Sequence, residues 1–146
     1  MTPAEKSAAI KAAPRVNGRN KGSAFERQIA KELFLLTGVG FRRNLEQYRA
    51  ADNGDLTPDD PAFPFVIECK AYAAGTGCKP AWKDQASKAA KAAGRIPCVV
   101  WKYNNRPVTC SVPLTALCPA MPVDQWADIT LRGLAFLAAE KMARDP

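Results

Sequence analysis

Asp55, Glu68 and Lys70 are the residues whose types and spacing could do chemistry together, with Glu26 upstream as a further acid. Glu68 and Lys70 close the run Phe65-Val66-Ile67-Glu68-Cys69-Lys70, which opens as an apolar strand. A strand sends alternate side chains to opposite faces, so Glu68 and Lys70 share one side while Ile67 and Cys69 share the other. Charges ending an apolar strand carry a desolvation cost that a partner or a metal must offset. Gly54-Asp55-Leu56 supplies a second acid on a neighbouring strand candidate. Asp55 and Glu68, with the backbone carbonyl of Cys69, make a hard-oxygen set suited to Mg²⁺ or Mn²⁺. Such an ion polarises a phosphodiester and lowers the pKa of a bound water. Lys70 beside it could orient that water or neutralise charge building on the phosphate. Glu26 could serve a second ion or hold one of its waters, and Gln85 could hydrogen-bond the attacking water or the backbone. The bland alternative for Glu68 and Lys70 is an ordinary ion pair at a sheet edge.

The absence of histidine narrows the chemistry further. It excludes Ser-His-Asp and Cys-His catalysis and imidazole metal sites. Hydrolysis would have to run on carboxylates, lysine and a hard metal. Cys69, Cys78, Cys98, Cys110 and Cys118 are widely spaced, with no C-x-x-C pair, and read as free thiols of a reducing cytosol.

The elements that must position these groups follow from pattern. Residues 1–21 carry Lys6, Lys11, Arg15, Arg19 and Lys21 against Glu5 and read as a flexible basic arm. Residues 22–146 read as a single domain, within the size that buries a sizeable core. A helix is expected from Ser23 to about Thr37, stopped by Gly38, with Phe25, Ile29, Leu33 and Leu36 as its core stripe. Ser23 as N-cap and Glu26 three residues on would complete a capping box, a role compatible with a site role for Glu26. Gly40 to Leu45 is a short strand candidate, followed by a loop from Glu46 to Asn53. Asp55-Leu56-Thr57 is a second strand or strand edge. Asp59 and Asp60 fall in a proline-bounded turn and read as solvated.

Phe65 to Tyr72 is the central strand. Pro80 can open a helix running to about Ala93 and closed by Gly94, with Trp82, Ala86, Ala89, Ala90 and Ala93 as its apolar face. Ile96 to Tyr103 and Pro107 to Val112 read as a hairpin about Asn104-Asn105. Asp124 to about Met142 reads as a closing helix whose stripe of Ile129, Gly133, Leu134, Leu137 and Met142 docks on the sheet or forms a dimer seam. The order of elements predicts an α/β domain with helices around a mixed central sheet.

The run Lys21-Gly22-Ser23-Ala24-Phe25-Glu26-Arg27, then Gly54-Asp55-Leu56, then Ile67-Glu68-Cys69-Lys70, resembles the PD-(D/E)XK nuclease superfamily. Its K-G-x-x-x-E-R opening looks most like the archaeal-type Holliday junction resolvases and their phage and bacterial relatives. The resemblance covers roughly residues 21–112 and implies a restriction-endonuclease-like core. It also implies Mg²⁺-dependent cleavage of DNA phosphodiesters, commonly by a homodimer acting on four-way junctions. Glu26, Asp55, Glu68 and Lys70 match the catalytic positions, and Arg27 matches an arginine that contacts DNA or the site. Those resolvases usually carry Ser or Thr before the motif aspartate. Residues 43–55 here have neither, with Gln47 or Arg49 in that region. The Pro-Asp-Asp-Pro insertion between Asp55 and Glu68 is a second departure. A bacterial or phage-infected cytosol is the compartment the resemblance implies.

A formal net charge of +7 suggests an anionic partner. Lys21, Arg27, Arg42, Arg43, Arg49, Lys83, Lys88 and Lys91 are the candidates for phosphate contacts. No base-reading motif is present, so recognition of DNA shape is expected rather than of sequence. No apolar run is long enough to cross a membrane, and the N-terminus lacks the apolar core of a signal peptide. Two other functions fit the same residues: a nuclease acting on flaps, ends or duplex DNA, and a catalytically inactive DNA-binding protein on the same fold.

Overall fold

In the computed structural model, residues 21–45 and 54–144 are described. The expectations for the arm up to residue 20, and for the loop holding Gln47 and Arg49, lie outside them. Helix α1 covers residues 21–37. Strands β1 (Phe41–Arg43), β2 (Leu56–Pro58) and β3 (Phe65–Tyr72) follow, then helix α2 (Pro80–Ala93) and strands β4 (Ile96–Tyr103) and β5 (Thr109–Pro113). A 3₁₀ turn (Leu114–Ala116), strand β6 (Trp126–Ile129) and helix α3 (Leu131–Arg144) complete the order.

The sheet has six strands in the order β1-β2-β3-β4-β5-β6. Among the described residues, only β3 and β4 run parallel, because α2 carries the chain back across the sheet between them. The neighbours on either side pair antiparallel. This is the mixed sheet flanked by helices that the pattern predicts, and the architecture is restriction-endonuclease-like.

Residue alternation along β3 and β4 divides the core in two. Phe65, Ile67, Cys98 and Val100 face one side, where Phe25, Ile29 and Leu33 of α1 and Leu131, Leu134 and Ala138 of α3 pack on them. Val66, Val99, Trp101 and Tyr103 face the other, under Trp82, Ala86, Ala89 and Ala90 of α2. Each helix is held by its apolar stripe; truncating a fully buried anchor such as Leu134 to Ala would cost about 2–5 kcal/mol. Helix α2 starts at Pro80 and ends at Gly94, whose φ of +67° turns the chain into β4.

Three local expectations are corrected. Lys21 and Ser23 are already helical, so Ser23 is not an N-cap and the capping box with Glu26 does not form. Instead the Ser23 hydroxyl accepts a hydrogen bond from Arg43 Nη2 at 2.8 Å. Leu36 is 47% exposed because the core ends at Leu33 and Val39, one turn before the helix does. The closing helix begins at Leu131 rather than near Asp124: Trp126–Ile129 form the edge strand β6, paired with β5. Thr130 ends that strand and caps α3, its hydroxyl accepting Gly133 N–H at 3.0 Å.

Candidate active site

The antiparallel pairing of Leu56 with Ile67 sets Asp55 beside Glu68 at the junction of β2 and β3. Two backbone contacts fix Asp55 there. Its N–H donates to Ile67 O at 2.9 Å, and its carbonyl accepts Asn44 N–H at 2.9 Å. Its side chain is fixed as well, because Cys69 N–H donates to Asp55 Oδ2 at 2.6 Å. Gly54 makes this close approach possible. Its φ is +71°, and a Cβ there would lie 2.7 Å from both Ile67 O and Val66 Cγ1. Asn44, which the sequence reading passed over, closes the other side by donating from Nδ2 to Gly54 O at 3.0 Å. The Pro-Asp-Asp-Pro insertion forms a turn beyond the pair, where Asp60 Oδ1 accepts Ala62 N–H and Asp59 meets exposed Arg42.

Glu68 is 1% exposed and Asp55 6%. Buried acids need polar partners. Gln85 supplies one from α2, its Nε2 donating to Glu68 Oε2 at 3.4 Å. Lys70 follows on the same face of β3, partly exposed and, among the described residues, without a salt-bridge partner. The ordinary ion-pair alternative for Lys70 therefore finds no support among those residues.

Glu26 approaches from α1, on the other side of the sheet. Arg43 Nε donates to Glu26 Oε2 at 3.1 Å while its Nη2 holds Ser23, so this guanidinium anchors the acid. Burial pushes the Glu26 carboxyl up; the Arg43 hydrogen bond opposes this, and the nearby charge of Asp55 adds to it. Burial pushes the Cys69 thiol well up, and the charges of Asp55, Glu26 and Glu68 reinforce the shift, so its sulfur stays protonated. All five cysteines are free.

Among the described residues, no three His, Cys, Asp or Glu side chains form a group able to hold a metal ion. Glu26, Asp55 and Glu68 thus do not converge as a three-acid cage. The donor set that remains is two carboxylates, Glu68 on β3 and Asp55 just before β2, the latter with an oxygen beyond that taken by Cys69 N–H. This fits Mg²⁺, which is usually held by one or two carboxylates and keeps several waters.

The predicted DNA contacts fall in different surroundings. Lys21 donates to Asn104 Oδ1 at the β4–β5 turn. Arg42 and Arg43 are paired as above, Arg27 is exposed on α1, and Lys88 and Lys91 are exposed on α2. Lys83 lies 5.7 Å over the ring of Trp126. Tyr72, two residues beyond Lys70 on β3, and Trp82, stacked on it, are the surface feature that the sequence reading missed.

A mixed sheet with an acid just before one strand and Glu-x-Lys on the next is the arrangement expected of a PD-(D/E)XK nuclease. Residues 17–134, most of the chain, match the family model described as phage putative PDDEXK endonuclease. The chain belongs to that family and to the PD-(D/E)XK superfamily. No curated protein and no solved structure matches it.

Proposed function

We propose that this protein is a Mg²⁺- or Mn²⁺-dependent endonuclease that cuts branched DNA as a homodimer in a bacterial or phage-infected cytosol. The observation that carries the reading is the Leu56–Ile67 register, which sets Asp55, just before β2, beside Glu68 on β3, with Lys70 next on the same face as Glu68. In this reading Asp55, Glu68 and the Cys69 carbonyl hold the ion. A divalent ion bound there supplies Lewis-acid polarisation of the scissile phosphodiester. Lys70 orients the attacking water or balances charge gathering on the phosphate. Gln85 positions the Glu68 carboxylate, and Glu26, steadied by Arg43, orders water at the rim of the site. Arg27, Lys83, Lys88 and Lys91 supply phosphate contacts.

The K-G-x-x-x-E-R opening favours a four-way junction as substrate. Flaps, ends and duplex remain the competing substrates on the same active site, and DNA binding without cleavage is the non-enzymatic alternative. A panel of junction, flap and duplex substrates at fixed ionic strength, with and without Mg²⁺, tests this. Paired symmetric incisions in the junction are expected; equal cutting of plain duplex would exclude junction specificity, and binding with no product at any metal concentration would exclude catalysis.

A further inference from the structure

We propose that the outer face of Tyr72 is a stacking platform for an unpaired base of the DNA, one nucleotide or so from the scissile phosphate. The proposal rests on the nuclease reading of Glu68 and Lys70 and adds a substrate feature to it. Val66, Glu68, Lys70 and Tyr72 alternate on the α2 face of β3. Tyr72 therefore lies two residues, about 6–7 Å, beyond Lys70 along the strand.

The Tyr72 ring is stacked on Trp82 with centroids 5.3 Å apart and 14° between planes. Trp82 is anchored, being 6% exposed, and packs in turn against Tyr103. Tyr72 nevertheless keeps 45% of its surface exposed, and Trp82 stacks on one of its two ring faces. Lys79 Nζ lies 5.6 Å from the Tyr72 centroid and 5.5 Å from that of Trp82. With 5.3 Å between the rings, these distances form a nearly equilateral triangle. Nearly equidistant from the two centroids, the ammonium does not occupy the outer face of Tyr72, and it is near enough to meet the phosphate of a nucleotide placed there.

A large aromatic ring held flat by a buried partner, flanked by a cation and next to the reacting groups, is suited to a base that has lost its own stacking neighbour. Bases inside an intact duplex offer no free face. The platform therefore selects DNA that is frayed, flapped or branched at the cut, with tolerance for base identity.

Binding is measured by anisotropy in EDTA, using a duplex and the same duplex with unpaired 2-aminopurine beside the expected cut. Tyr72→Leu keeps apolar contact with Trp82 while removing the π face, and Tyr72→Phe retains both. The expected result is about 5- to 100-fold weaker binding of the unpaired substrate by Tyr72→Leu, little change on duplex, and near wild-type behaviour of Tyr72→Phe. Quenching of 2-aminopurine by the wild type and not by Tyr72→Leu is expected alongside. Equal losses on both substrates, or quenching unchanged in Tyr72→Leu, would overturn the proposal. Cleavage by the wild type in Mg²⁺ is scored separately. Its absence would count against the nuclease reading, while the binding and fluorescence measurements still decide the platform.

Discussion

Cys69 N–H reaches the Asp55 carboxylate at 2.6 Å, so the strand that carries Glu68 and Lys70 also holds the acid opposite them. One backbone amide thereby couples the two halves of the site. Asp55→Asn keeps an oxygen for this bond and removes the charge. The variant is expected to fold with a thermal midpoint close to wild type and to lose cleavage at least about a hundredfold. Retained cleavage would remove Asp55 from the ion-binding role.

Gly54→Ala tests the backbone that delivers Asp55. The new Cβ would sit 2.7 Å from Ile67 O and 2.7 Å from Val66 Cγ1, at a φ of +71°. A stability loss of about 1–3 kcal/mol is expected in urea denaturation, with activity falling further than stability accounts for because Asp55 must move. A variant as stable and active as the wild type would show that the approach of residue 54 to β3 is not required.

Arg43 and Glu26 make a pH-dependent pair. Burial raises the Glu26 pKa above its ordinary 4.5, and Arg43 opposes the rise. The native state therefore holds this proton to higher pH than the unfolded chain does. Its contribution to stability is complete below 4.5 and is lost as pH rises through the folded value. Arg43→Ala should move that loss to higher pH, and Glu26→Gln should abolish it. Denaturation midpoints from pH 4 upwards in all three proteins check the sign; identical profiles would contradict it.

Much of this site was legible because its chemistry is tied to short-range pattern. Phe65–Tyr72 and Pro80–Ala93 carry their boundaries in apolar runs, a proline at the first helical turn and Gly94 after the last. What the pattern concealed was set by tertiary contacts. Trp126–Ile129 merges with the apolar stripe of α3, so Ile129 looks helical until pairing with Cys110 claims it for the sheet. The sequence did hold a signal in Thr130, an N-cap residue just before the helix. Ser23 has the residue type and spacing of a cap, but the helix continues past it and Arg43, distant in sequence, takes its hydroxyl. The Tyr72–Trp82 stack joins a strand to a helix, and no local periodicity announces it.

In the proposed function, Asp55 and Glu68 share a divalent ion used to cut DNA. The most direct measurement is cleavage of a synthetic four-way junction across a Mg²⁺ titration by the wild type, Glu68→Gln and Lys70→Ala, with folding checked by circular dichroism. Cutting by the wild type that saturates with Mg²⁺, stops in EDTA and is lost in both variants is the predicted result. Cutting that persists in EDTA, or at wild-type rates in both variants, would contradict it.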